Sequence, residues 1–285
     1  MKVEIICPLY QAANYVLNLH NSLLRQKNVE IGNITYVLTE SADDTENILK
    51  EHNITYTLIK KNEFSHSLTR EKVALNSESD IVVFITQDIE PANDNWLSNL
   101  IAPIIAGEAV ACYSRQISKH NNLEKYTREK NYPQNSFIVS KDDIAELGLK
   151  TFFFSDAASA IKTSIFKELN GYDGKDLPTN EDMYVAYKII MAGYKIKYCA
   201  DSVVYHSHKF TLQQLYRRYY KFGQFMAQNP QIYQLGTTKA GSGLAKYVLQ
   251  RALREFNLPV LFRFVPDMLA RWLGMHNGRK KGSKP

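Results

Sequence analysis

Apolar and polar residues come in alternating blocks through the first hundred or so positions. Residues 3–7 form a short β-rich run closed by Pro8. Between 12 and 26, apolar residues at 16, 17, 19, 23 and 24 recur with a helical period. Further strands are predicted at 34–38, 54–59, 80–86 and 109–113, and helices from about 41–46, at 67–75 and at 93–105. Strand and helix alternate with short loops between them, the signature of a parallel, doubly wound sheet. In such sheets ligands bind beyond the C-terminal ends of the strands. The segments after positions 7, 38, 59 and 86 therefore carry the interest.

Later in the chain, a glycine-rich turn at 169–174 is followed by Asn180-Glu181-Asp182 and a predicted helix at 183–192. Two carboxylates at a helix N-terminus lie in a field that favours the anion, which suits a general base. The plainer alternative is that Asn180 caps the helix and the acids only complement its dipole. A strand predicted at 202–205 leads into His206 and His208, and residues i and i+2 of a strand share a face.

Composition narrows the class. With 285 residues, 45% of them hydrophobic, the chain holds one large domain or a domain with an appendage, and it is not disordered. Cys7, Cys112 and Cys199 are odd in number and far apart, which argues against a disulfide framework and fits a reducing cytosol. Neither a CxxC nor a Cys/His pairing suggests metal binding by them. The N-terminus enters the strand pattern directly, so no signal peptide is expected, and no apolar stretch is long enough to span a bilayer. The net charge of +6 divides unevenly: residues 239–285 hold ten Lys/Arg and two acids (+8), leaving 25 and 27 (−2) for residues 1–238. Basicity thus belongs to the tail, which weakens a nucleic-acid reading of the body and gives the tail an anionic partner.

The loops contain neither GxGxxG nor GxxxxGK[ST], so a dehydrogenase, a P-loop NTPase or a glycine-loop nucleotidyltransferase is disfavoured. They offer instead Tyr10, Thr39-Glu40, Phe64-Ser65-His66, Thr69-Arg70 and Gln87-Asp88-Ile89-Glu90. An aromatic ring, hydrogen-bonding acids, a cation and a strand-end carboxylate suit a nucleobase, a ribose and a metal-bound diphosphate.

Taken in order, these pieces resemble the inverting glycosyltransferases of family 2 and, within it, bacterial rhamnosyltransferases. The matching segments are Cys7-Pro8-Leu9-Tyr10, Ser41-x-Asp43-x-Thr45, Phe64-Ser65-His66-x-x-Thr69-Arg70 and Thr86-Gln87-Asp88-Ile89-Glu90-Pro91 through Trp96-Leu97. They continue with Tyr113-Ser114-Arg115-Gln116, the stretch from Phe154 to Ala160, Asn180-Glu181-Asp182 and Tyr205-His206-Ser207-His208, covering about residues 2–222. The resemblance implies a GT-A fold with a Rossmann-like mixed sheet. It implies that Asp88 is the last acid of a DxD motif whose first place is taken by Thr86, binding Mg²⁺ or Mn²⁺ with one of His206 and His208. It further implies Asp182 as the base with Glu181 beside it, and a donor site drawn from Pro8, Tyr10, Glu40, Asp43, His66, Arg70, Gln87, Asp88, Arg115 and Asp156.

The activity so implied is transfer of a sugar, L-rhamnose from dTDP-L-rhamnose, to a glycan or polyprenyl-linked acceptor in cell-surface polysaccharide synthesis. The alternatives are a UDP-sugar as donor and a catalytically weak, membrane-bound scaffold. The expected organisation is a catalytic domain at 1–222, a linker at 223–243 and a basic, amphipathic helical tail at 244–285. Such a tail reads as a peripheral anchor at the inner face of the cell membrane. The alternative is a helical hairpin packed on the catalytic domain or on a second subunit of a homo-oligomer.

Overall fold

A computed structural model describes residues 1–235 and 239–282. The chain runs β1 (Lys2–Leu9), α1 (Val16–Leu24), β2 (Glu30–Thr39), α2 (Thr45–Glu51), β3 (Tyr56–Ile59), α3 (His66–Asn76), β4 (Ile81–Ile85), β5 (Glu90–Pro91) and α4 (Trp96–Ile105). It continues with β6 (Ala111–Ile117), α5 (Leu123–Asn131), β7 (Phe137–Val139), α6 (Ile144–Leu147), β8 (Ala158–Lys162), α7 (Thr163–Glu168), α8 (Glu181–Met191) and β9 (Ile196–Tyr205). Four helices follow: α9 (Leu212–Gln228), α10 (Pro230–Tyr233), α11 (Lys239–Arg254) and α12 (Leu258–Gly282).

The strands form one sheet in the order β3-β2-β1-β4-β8-β6-β9-β5, with β7 also pairing β9. The half from β3 to β4 is parallel, as the alternation of elements predicts. The other half is mixed, because β8 runs antiparallel between β4 and β6. Apolar periodicity places β8 in the core but carries no information on its direction. The small side chains of Ala158, Ser159 and Ala160 are fully buried there. Helices cover both faces: one core packs β1 and β4 against α1 and α4, the other packs the same sheet against α8 and the 152–154 aromatic run.

Pro8 does not end the first strand, which continues to Leu9. Pairing of β1 with β4 stops at Ile6↔Phe84, so beyond it the strand has only β2 as neighbour, and a residue without an N–H is tolerated.

The expected linker at 223–243 is not a linker where it can be described. Residues 223–228 continue α9 and 239–243 lie in α11, while 236–238, like 283–285 of the tail, fall outside the described residues. Gly223 is a packing residue here rather than a break. A Cβ built on it would lie 2.3 Å from the Met275 carbonyl oxygen of α12, and one on Gly278 would lie 2.0 Å from that of Tyr220. Glycines on both helices thus let α9 and α12 approach backbone to backbone. The tail packs on the catalytic body: Val248, Ala252 and Val260 share a buried cluster with Leu123 and Tyr126 of α5. Arg271 donates to Asp267, to Glu124 of α5 and to the Tyr219 hydroxyl of α9. Among the described residues, no helix is long and apolar enough to cross a membrane.

Candidate active site

The ends of β4 and β9 bring three ligand-type side chains together. Asp88 follows β4, and His206 and His208 follow β9, held beside β6 by the His206 N–H···O=C bond to Ile117. Asp88 Oδ2 lies 3.3 Å from His206 Nε2 and 3.8 Å from His208 Nδ1. The two rings sit edge to face with centroids 4.4 Å apart. Burial, then the neighbouring His206 ring, pushes the His208 pKa down to about 3, and burial lowers that of His206 as well. Both rings are therefore neutral at neutral pH, the form in which imidazole is a ligand.

The tautomer of His206 follows from its neighbours. Arg128 has only donors to offer, so the Gln116 atom it touches is the carbonyl Oε1. The same Oε1 lies 2.9 Å from His206 Nδ1, which must then carry the proton. His206 Nε2 is left with a lone pair aimed at the Asp88 carboxylate. Two acceptors face each other at 3.3 Å, an arrangement that a cation between them relieves. Metal–ligand bonds near 2.1 Å put adjacent octahedral ligands about 3 Å apart, so the spacing fits a divalent ion. Two imidazoles and one carboxylate make a donor set suited to a divalent ion.

His208 also lines a cavity of about 320 Å³. Its walls come from α5 (Arg128), the aromatic run (Phe153, Phe154), α8 (Asp182), α9 (Arg218, Tyr219) and α12 (Arg271). Asp182 lies in the first turn of α8, one residue after Glu181. Asn180 takes the left-handed conformation (φ 60°) at the N-cap, yet its side chain makes no capping bond, so the helix-cap alternative fails for it. Burial, then the charges of Glu181 and Asp156, push the Asp182 pKa well above the usual carboxylate range.

Two predicted donor residues are buried among protein partners. Arg70 is buried, donates to the His66 carbonyl and stands 3.6 Å from Glu181, so it balances the acidic cluster. Asp156 is buried, and its oxygens accept from Tyr172 (2.7 Å) and Ser159 (2.8 Å). Burial raises its pKa to about 6, against the pull of Arg70. The oxygens of Asp156 are taken up by these partners, whereas the buried Nε of Arg70 has no hydrogen-bond partner.

The remaining predicted residues tie the loops at the strand ends. Gln87 exchanges two hydrogen bonds with the backbone of Tyr10, through Oε1 (2.8 Å) and Nε2 (2.9 Å). Asp43 accepts from Ser41, Thr45 and the Ala13 N–H. Against the cost of partial burial, these bonds hold its pKa below the usual range. Glu40 is exposed and accepts from the Lys61 N–H, while His66 is exposed beside Phe64 at the start of α3. Pro8, half-buried, stands one residue before the end of β1.

Arg115 has its Nε buried without a hydrogen-bond partner, and Gln116, one position on, reaches His206, Arg128 and Ser155. A register shift between Ser114 and Arg115 precedes this pair, an irregularity that strand periodicity cannot announce. Arg128 and Arg218, also absent from the sequence-based set, sit on helices whose charge patterns look solvated in the sequence. The aromatic Phe210 under Arg218 was the available signal.

The Glycosyl transferase family 2 model matches residues 4–170. Over 99% of this chain and 90% of its own length, the O-antigen chain rhamnosyltransferase WbaN of Salmonella anatum is 34% identical. RfbN of Salmonella typhimurium, with the same description, is 32% identical over 100% and 92%. The mannosyltransferase PcManGT from Pyrobaculum calidifontis, solved with GDP-Man and Mn²⁺, superposes with a TM-score of 0.61 over 98% of this chain and 85% of that one, at 15% identity. The arrangement is the GT-A fold.

Proposed function

This chain belongs to glycosyl transferase family 2, and from that premise we propose that it transfers L-rhamnose from dTDP-L-rhamnose, with inversion, to a hydroxyl of a lipid-linked glycan in cell-surface polysaccharide synthesis. Full-length identity to two O-antigen rhamnosyltransferases supports the sugar and the pathway class. The observation that carries the chemistry is the position of Asp182, on the wall of a cavity that His208 also lines.

The acceptor hydroxyl lies against Asp182 in that cavity. As its oxygen forms a bond to the anomeric carbon, its proton passes to the Asp182 carboxylate, and the bond from that carbon to the diphosphate oxygen breaks on the far side. Glu181 and Asp156 make Asp182 a stronger base by placing negative charge beside it, and Arg70 keeps Glu181 in place. Asp88, His206 and His208 would hold the divalent ion, Mn²⁺ by preference, which when bound neutralises charge on the departing diphosphate. Arg128 and Arg218 add fixed positive charge on the same side. Tyr10, Gln87 and Asp43 hold the loops against which the nucleoside rests. The acceptor's lipid places the protein at the inner face of the cell membrane, as a peripheral protein.

The test is release of nucleoside diphosphate from a panel of activated sugars with Mn²⁺. Asp182→Asn should lower kcat by about 10²–10⁴-fold with little change in donor KM. Turnover of the variant at the wild-type rate would remove Asp182 as the base, and a preference for a UDP-sugar would replace the donor.

A further inference from the structure

Helix α12 is apolar on two opposite sides. One side, with Val260, Gly274 and Gly278 buried, lies on α9 and the body. On the other, Leu258, Phe262, Val265, Leu269 and Trp272 follow one another at steps of four and three residues, the spacing of a single helical face. All five are exposed, Phe262 at 82%, and Phe256 in the turn before the helix at 85%. No described part of the chain covers this stripe. A soluble surface scatters its large apolar residues singly, and a contiguous row marks a partner.

Charge selects the partner. Residues 239–282 carry nine Lys/Arg and two acids, and both acids are engaged: Glu255 with Lys125 and Arg251, Asp267 with Arg271 and Arg263. Lys246, Arg254, Lys280 and Lys281 are exposed and have no ion pair among the described residues. A second copy set against this face in two-fold fashion would bring cation to cation with no acid to answer them. An anionic bilayer supplies both missing complements, acyl chains for the stripe and phosphate for the cations.

We propose that the outward face of α12, from Phe256 to Trp272, is a monolayer-inserting surface that docks the protein flat on an anionic lipid bilayer. This gives the membrane placement proposed above a defined face, and it rests on that reading only for the identity of the membrane. Phe262, Val265 and Leu269 sink below the headgroups, Trp272 lies at their level, and the free lysines and arginine contact phosphate. The opposite side of the same helix stays on α9, so docking needs no unfolding of the hairpin.

The chain contains two tryptophans, and Trp96 is fully buried, so a change in tryptophan emission on lipid addition reports Trp272. Full-length protein is titrated with vesicles of phosphatidylglycerol and phosphatidylethanolamine, and separately of phosphatidylcholine. The expected result is a blue shift and co-flotation with the anionic vesicles, at least tenfold stronger than with phosphatidylcholine and falling with salt. Phe262→Ser combined with Leu269→Ser should cut binding at least tenfold while thermal unfolding and turnover on a soluble acceptor stay at wild-type values. Lys280→Glu with Lys281→Glu should erase the preference for anionic lipid. No flotation of the wild type, or undiminished flotation of the double serine variant, overturns the proposal. So does a wild-type dimer in sedimentation that the serine variant dissolves, since the stripe is then a protein interface. Turnover on the soluble acceptor reads the transfer reaction separately, so failure of the docking face leaves that reading intact.

Discussion

Arg128 and His206 share one acceptor, the Oε1 of Gln116. The shared atom sets which nitrogen of the His206 ring is free, so a helix residue 78 positions upstream fixes the lone pair offered to Asp88. Gln116→Met keeps the size of the side chain and removes the acceptor. Such outer partners of a ligand typically carry about 10–100-fold in metal affinity. Mn²⁺ titration by electron paramagnetic resonance, with dTDP present, should show a loss of that size, with circular dichroism unchanged. Wild-type Mn²⁺ affinity in the variant would mean that His206 is oriented by something else.

The metal preference follows from the same cluster. After chelation with EDTA, activity should return more fully with Mn²⁺ than with Mg²⁺, because two of the three ligand atoms are imidazole nitrogens. His208→Asp, which replaces one nitrogen by an oxygen, should narrow that difference. Equal restoration by both ions in the wild type would show that donor oxygens, not the histidines, dominate binding.

Asp182 links rate and stability to pH with opposite signs. Its folded pKa is raised, so the carboxylate needed as base forms only as pH climbs through a range above that of an ordinary aspartate. kcat/KM should therefore rise with pH over that range, and Glu181→Gln, by removing a neighbouring negative charge, should move the rise to lower pH. For stability, a raised acid pKa means the folded state holds the proton more tightly than the unfolded chain. Asp182 thus costs nothing below the unfolded value and costs progressively more as pH rises to the folded one. Asp182→Asn should accordingly melt higher than wild type at pH 8 and level with it near pH 3.5, if both are followed by calorimetry. A lower melting temperature at pH 8 would contradict the raised pKa.

Gly278 sits where α9 and α12 meet, and a Cβ there would overlap the Tyr220 carbonyl. Gly278→Ala must push the helices apart, at a cost of about 1–3 kcal/mol. Since Arg271 reaches the cavity from α12, the same variant should also raise the acceptor KM. Chemical denaturation with a KM measurement checks both, and a neutral result would mean that the helices slide past the added methyl.

Much of this was legible in the residues. The strand-end loops with Tyr10, Asp43, Gln87 and Asp88, the His206/His208 pair and the acidic step at 181–182 stand where their order in the chain implies. Each is set by a strand end or a helix start, which period and turn chemistry reveal. The burial of Arg70 and Asp156 is not legible in the same way. Burial is decided by what packs above a residue, and the cover over Arg70 comes from α8, more than a hundred residues away. Gln116 is overshadowed by Arg115 in the sequence because the register of β6 against β9 slips by three residues between Ser114 and Arg115. The packing of the tail is not legible because nothing in the sequence marks Gly223 and Gly278 as the points where α9 and α12 touch.

Helix α12 works on two sides at once, Arg271 at the cavity wall and Trp272 outward in the exposed row. An α-helix turns about 100° per residue, so one residue gained or lost between Phe262 and Arg271 would swing one side out of step with the other. The cavity wall and the outward row are thus locked in phase. Insertions in this helix keep the two sides in phase only when they come close to whole turns, as seven or eleven residues do.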